Sequence, residues 1–243
     1  MTIVAIGAHP DDPEDGCGGT LALLTHAMNK SESGERAIII YVTSGGAGQA
    51  GTPPEEVCQI REAEARAACE ILRAEPVFLG LRDGSAFPTA DAVRQLEDLL
   101  EEAWPRVVFT SWPLDTHPDH RCTSYIALAA FSHLFGRNFL SSLRDPLENW
   151  EFPRDGRDDL SGPGLFFWQT MPGEQSMQFH PDVLVGINAT IDQKMSALEA
   201  HASQNRSDKL IRWAEEVAKS LARNLGGKCQ YAEGFMRIRP PSI

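Results

Sequence analysis

A strand that is forced to stop constrains this chain most. Residues 2–8 form an apolar, β-branched run of the kind buried on both faces of a parallel sheet, and the run meets His9-Pro10-Asp11-Asp12-Pro13-Glu14-Asp15. Two prolines cannot continue a regular ladder, so the strand ends at His9. Just beyond lie one imidazole and four carboxylates, then Gly16, Gly18 and Gly19 and an apolar helical run, Leu21-Ala22-Leu23-Leu24. Open α/β sheets place their ligand sites at the carboxyl ends of buried parallel strands.

His9 and Asp12 stand three residues apart in a tight, proline-bounded turn, which is metal-chelate spacing. Imidazole nitrogen with carboxylate oxygen suits Zn²⁺, and also Fe²⁺ or Mn²⁺. Asp11 points a different way around the turn and is free to hold a water. The same residues also suit a plain structural role, because Asp is common in turns and helix caps where strands end.

The pattern then repeats. The spacing predicts helices over 18–29, 53–73 and from Thr89 or Asp91 to Trp104, alternating with strands over 36–43, 76–80 and 106–111. After the strand at 106–111 comes Asp115-Thr116-His117-Pro118-Asp119-His120-Arg121, a second proline-bounded cluster of histidine and aspartate. All parallel strands end on one edge of their sheet, so the two clusters share an edge and can converge. A helix over 122–135 follows. Residues 136–163 are polar and read as an insertion or excursion near the substrate. Strands over 165–169 and 182–187, helices over 191–201 and 207–224 and a strand over 231–238 complete the chain. These elements predict a single α/β domain over 1–243, a Rossmann-like three-layer αβα fold with a mostly parallel sheet and the site at the C-terminal ends of its strands.

Composition removes several function classes. Of 243 residues 42% are hydrophobic and 23% charged, which fits a soluble globular domain with a substantial core. A formal net charge of −12 argues against nucleic acid and anionic membrane as partners, since such binders need a basic patch, and favours a small-molecule substrate. No apolar run reaches the roughly 20 residues of a membrane span, and the start lacks the features of a signal peptide. Five cysteines without a Cys-x-x-Cys pair read as reduced thiols of a cytoplasmic protein, with no thiolate zinc finger. The loop Ser44-Gly45-Gly46-Ala47-Gly48 lacks the Gly-Lys-Ser/Thr ending of a phosphate-binding loop, which counts against a nucleotide-binding protein.

Taken together, Ala8-His9-Pro10-Asp11-Asp12 with Gly18-Gly19-Thr20, followed by His117-Pro118-Asp119-His120, resembles the LmbE-like family of zinc deacetylases, also called the PIG-L family. The likeness continues through Arg61-Glu62 and through Lys194, Ala197-Leu198, His201 and Ser203-Gln204. The stretch Tyr231-Ala232-Glu233-Gly234-Phe235 looks most like the diacetylchitobiose deacetylase branch.

The resemblance implies Zn²⁺, or Fe²⁺ or another divalent ion, held by His9, Asp12 and His120 with one open position, and Asp11 as general base. It further implies that His117 stabilises the oxyanion, either protonated or hydrogen-bonded by Asp119, that Asp119 orients a ligand histidine, and that Arg61 and His201 meet the sugar. The expected substrate is an amino sugar of the N-acetylglucosamine type and the expected assembly a homo-oligomer, trimer or hexamer. Alternatives are an amidase for another amide, such as a thiol conjugate, and a non-catalytic sugar-binding relative. Two departures stand out. Asp115 occupies a place where some relatives carry tyrosine, and the second-strand loop lacks an acidic residue that relatives often have after its glycine.

Overall fold

The structure is a computed structural model that describes residues 2–28, 36–142, 164–171, 175–205 and 208–237. Strands β1 (Thr2–Gly7), β2 (Arg36–Thr43), β3 (Glu75–Leu81), β4 (Val107–Ser111), β5 (Gly164–Trp168), β6 (Val183–Gly186) and β7 (Ala232–Arg237) form one sheet in the order β3-β2-β1-β4-β5-β7-β6. The first five in that order run parallel, and β7 runs against both its neighbours. Ile6 stands opposite Ile40 on one side and Thr110 on the other. Strand order reverses between β1 and β4, and the crevice at such a reversal is where open α/β sheets bind ligands.

The three layers follow from strand alternation. Ile3, Ala5, Ile39, Tyr41, Phe109, Phe166 and Trp168 face helices α1 (Asp12–Met28), α2 (Pro54–Leu72) and α5 (Ile191–Glu199), through Cys17, Leu21, Ala65, Leu72 and Ala197. Val4, Ile6, Ile38, Ile40, Val108 and Phe167 face the opposite layer of α3 (Ala90–Ala103) and α4 (Pro118–Ser142), through Leu96, Leu100, Ile126 and Ala130. Both faces of the sheet are therefore dry, as its near-continuous apolar strands require. Helix α6 (Lys209–Ala222) packs against β7 and α5.

Two helices begin earlier than their apolar periodicity suggests. Helix α1 starts at Asp12 rather than residue 18, and α4 starts at Pro118 rather than residue 122. The prolines that end the strands also open the helices, because a first-turn N–H has no intrahelical partner and proline's fixed φ already suits a helix. Asp12, Glu14 and Asp15 in the first turn of α1, and Asp119 in that of α4, sit where a helix favours negative charge. Both clusters thus lie on strand-to-helix junctions.

Helix α1 also lies unusually close to the sheet. A Cβ on Gly16 would fall 2.3 Å from Cγ of Trp168, so only glycine fits there. The excursion expected over 136–163 is in part helix: α4 continues to Ser142, and residues 143–163 lie outside the described residues.

Candidate active site

At the junction after β1, the side chain of Asp12 turns back to cap the chain, accepting the His9 N–H at 2.8 Å. Its two oxygens then face two imidazoles. Oδ2 is 3.3 Å from Nδ1 of His9, and Oδ1 is 3.4 Å from Nε2 of His120 in the first turn of α4. The outer nitrogens point at further carboxylates: His9 Nε2 lies 3.2 Å from Asp83 and 3.3 Å from Asp119, and His120 Nδ1 lies 3.3 Å from Asp115. Each histidine therefore has one nitrogen turned to a shared centre and one braced from behind. His117 completes the cluster, its ring centroid 4.9 Å from that of His9 and 4.6 Å from that of His120.

The bracing carboxylates are themselves fixed by backbone. Asp119 is fully buried and accepts the N–H groups of Gly84 at 2.7 Å and Ala86 at 3.2 Å. Asp115, at the position of the departure noted above, is equally buried and accepts the His117 N–H at 2.7 Å and the Ser176 hydroxyl at 3.3 Å. Asp83, at the turn after β3, accepts the Ala47 N–H at 2.7 Å.

The charges follow the same geometry. Burial opposes a proton on His9 and His120, but the surrounding carboxylates outweigh it: His9 is raised well above its ordinary value and His120 to about 10. Burial would push Asp12 up, yet His120 and His9 hold it well below the usual range. His117 goes the other way, lowered by burial and by its two histidine neighbours. It is neutral rather than protonated, and Asp119 reaches it through its backbone N–H, 3.3 Å from Nδ1, not through its carboxylate. That contact places the proton of a neutral His117 on Nε2.

Asp11 is the strained residue of the site. Its φ is 112°, a conformation that L-residues rarely adopt. The Arg61 guanidinium on α2 holds it, donating to the carbonyls of Pro10 and Gly45 and lying 3.2 Å from the Asp11 carboxylate. Gly45 has a φ of 67° and a Cβ there would meet Arg61 at 2.1 Å, so the loop after β2 is shaped to admit this arginine. Arg61 is only 4% exposed. Its terminal nitrogens are engaged with the backbone and with Asp11, while its Nε has no partner among the described residues and the side chain lines the cavity. Burial raises the Asp11 carboxyl, with Arg61 opposing and Asp12 adding to the rise.

These groups line a cavity of about 470 Å³ whose far wall includes Gln204, Lys209 and Trp213. The structure brings His9, Asp11, Asp12, Arg61, His117 and His120 to this wall, with Asp119 directly behind it. His201 is not brought there. It is fully buried and faces Glu14, 3.2 Å away, which also accepts the Tyr41 hydroxyl, so the sequence expectation that His201 meets the substrate is corrected. Sequence reasoning missed Asp83, which reaches the site as one carboxylate in a turn after a third strand on the same edge.

The donor set fits a divalent ion. A tetrahedral centre with bonds of about 2.0–2.1 Å separates its donor atoms by about 3.3–3.4 Å, and two imidazoles with a carboxylate and carboxylate-braced outer nitrogens are the usual surroundings of such an ion. Two sets of donor atoms lie within 4.8 Å of one another, one from His9, His117 and His120 and one from His9, Asp83 and Asp119, while Asp12 meets His9 and His120 through different oxygens.

Comparison with known proteins gives the family and the fold. The family model described as PIG-L, GlcNAc-PI de-N-acetylase, matches residues 4–131, more than half of the chain. The chain belongs to the PIG-L family. The diacetylchitobiose deacetylase of Thermococcus kodakarensis is 26% identical over 241 residues, covering 96% of this chain and 81% of the relative. Among solved structures, the conserved protein TT1542 of Thermus thermophilus is 32% identical with a TM-score of 0.73, over 99% of this chain and 96% of its own. The 4-carboxy-2-hydroxymuconate hydratase of Pseudomonas putida superposes with a TM-score of 0.75 at 22% identity, over 100% of this chain and 98% of its own. That last likeness is one of fold, and fold does not fix a reaction. This PIG-L chain is an enzyme of the deacetylase class, a hydrolase, and its chemistry must be argued from the site.

Proposed function

We propose that the protein is a metal-dependent hydrolase that removes the acetyl group from nitrogen of an N-acetylglucosamine-type sugar or glycoconjugate, giving acetate and the free amine. The observation that carries this reading is the convergence of His9 Nδ1, His120 Nε2 and the Asp12 carboxylate, each histidine braced by carboxylate on its outer nitrogen. The substrate class rests on the PIG-L description and on the Thermococcus relative.

His9, Asp12 and His120 would hold the ion, zinc being favoured by two imidazoles and one carboxylate. A bound divalent ion supplies a Lewis acid that polarises the amide carbonyl and lowers the pKa of water. Asp11, strained toward the cavity, takes the proton of the attacking water and returns it to the leaving nitrogen. Its raised carboxyl suits that exchange better than an ordinary aspartate would. His117, neutral with its proton on Nε2, donates to the carbonyl oxygen as negative charge develops there. Arg61 keeps Asp11 in place, and Asp115, Asp119 and Asp83 keep the two ligand rings from turning.

The test is free-amine release from N-acetylglucosamine, diacetylchitobiose and a glucosaminyl conjugate, by metal-stripped enzyme with and without added Zn²⁺. Zinc-dependent amine from one or more of them is expected. Amine released equally without metal would overturn the metal role, and none from any substrate with zinc bound would move the activity to another amide.

A further inference from the structure

Two stretches that carry the family likeness, around Lys194 and around Glu233, take no part in the chemistry above, and the fold brings them together. Lys194 on α5 and Glu233 on β7 form an ion pair 2.7 Å long in which both side chains are 3% exposed. The two oxygens of Glu233 accept the N–H groups of Gly19 at 2.9 Å and Thr20 at 2.8 Å, in the middle of α1. Lys194 Nζ donates to the carbonyl of Asp15.

In an α-helix the N–H of residue 19 bonds to the carbonyl of residue 15. The ion pair serves the donor and the acceptor of that one rung. Thr190 Oγ1, just before α5, donates to the Gly19 carbonyl at 2.7 Å and so reaches the next rung as well. These contacts fall where the turn that carries Asp12 and Asp15 to the cavity joins the remainder of α1.

Burial disfavours charge on Lys194, but Glu233 and Asp15 outweigh it, so it stays an ammonium. A buried ion pair is in general no better for stability than apolar side chains of the same volume. This one does what apolar groups cannot, accepting two N–H groups and donating to a carbonyl at once.

We propose that Lys194 and Glu233 are positioning residues for the catalytic end of α1, fixing the direction in which its first turn presents Asp11 and Asp12 to His120 and the cavity. The proposal rests on the reading of Asp11 and Asp12 given above.

Two variants test it: Lys194→Met/Glu233→Gln, which removes both charges and strands neither, and Lys194→Arg, which keeps the charge but changes its reach. The readouts are thermal midpoint, zinc affinity against a chromophoric chelator, and kcat and KM for amine release. The double variant is expected to fold with a midpoint lowered by several degrees, because an amide can accept from only one of the two N–H groups, to bind zinc about 10–100-fold more weakly and to lose about tenfold or more in kcat with KM unmoved. Lys194→Arg moves in the same direction by a smaller factor. A folded variant of either kind with the parent's zinc affinity and kcat overturns the proposal. If the double variant does not fold, Lys194→Arg decides on the same readouts.

Failure of the underlying reading looks different, because the parent protein itself then neither binds zinc nor releases amine. Hydrogen exchange at the amides of residues 12 and 14–16 still decides in that case. Faster exchange in Lys194→Arg supports positioning, and unchanged exchange overturns it.

Discussion

The two strand-to-helix junctions, 9–15 and 115–121, use the same residue types in opposite senses. After β1 the carboxylates face the cavity: Asp11, Asp12 and Asp15 line it, and Asp11 is strained toward it. After β4 the carboxylates turn inward, Asp115 and Asp119 both fully buried, and the cavity receives the histidines instead. Each junction braces the other, since Asp12 faces His120 and Asp119 faces His9. Neither junction makes a site alone. Two parallel strands side by side at the switch point bring carboxylates from one junction and imidazoles from both to the same cavity.

The comparison breaks most completely if one imidazole of the shared centre is removed. His9→Ala or His120→Ala is expected to lose bound metal and to bring turnover to background, measured by metal content of the purified protein and by amine release. Retained metal in either would mean that the donor set is other than His9, Asp12 and His120. Next in size is the division of labour in chemistry. Asp11→Asn should keep the metal and lose about 10²–10⁴-fold in kcat, the usual worth of a general base. His117→Ala should also keep the metal and lose about 10²–10³-fold, as an oxyanion donor does. Loss of metal in His117→Ala would make that residue a ligand instead.

Acidity probes both junctions at once without mutation. His9 is raised well above its ordinary value and His120 to about 10, so without metal both carry a proton at pH 7. Binding must displace one proton from each. Zinc affinity should therefore rise with pH, by about tenfold per unit between pH 6 and 8 from His120 and further from His9, with protons released as titration calorimetry in buffers of different ionisation enthalpy would show. Release of none would mean that both rings are already neutral. The metal-free protein carries the matching stability term. Both pKa values are raised on folding, so the contribution is fully present below the unfolded value of about 6.5 and is lost as pH climbs through the folded values, which for His120 means toward 10.

Much of this was legible in the residues, and the failures have two causes. Apolar runs placed β1, β2 and β4, and the proline-bounded polar clusters after β1 and β4 do come together on one edge of the sheet. Read only as strand breakers, Pro13 and Pro118 put the helix starts at 18 and 122, whereas proline in a first turn starts them at Asp12 and Pro118. A residue pattern also shows which groups reach an edge but not which way they turn. His201 turns into the core toward Glu14, Arg61 toward the backbone of the first junction, and Asp83 from an unremarked turn toward His9. Those directions are set by long-range packing, and spacing along the chain does not carry them.

The smallest expected effect sharpens the comparison furthest, because it asks whether the two braces are equivalent. Replacing a carboxylate that orients a metal-ligating histidine typically costs about 10–100-fold in metal affinity or activity. Asp115 is the carboxylate beside the outer nitrogen of His120, whereas His9 has two, Asp119 at 3.3 Å and Asp83 at 3.2 Å. Asp115→Asn leaves the His120 ring without a charged partner there, while Asp119→Asn leaves His9 with Asp83. Zinc affinity should therefore fall further in Asp115→Asn than in Asp119→Asn, and the double variant Asp83→Asn/Asp119→Asn should bring the two junctions level. Equal losses in the two single variants would mean that Asp83 does not share the load on His9, and that its place in the site is on the cavity side, toward the substrate.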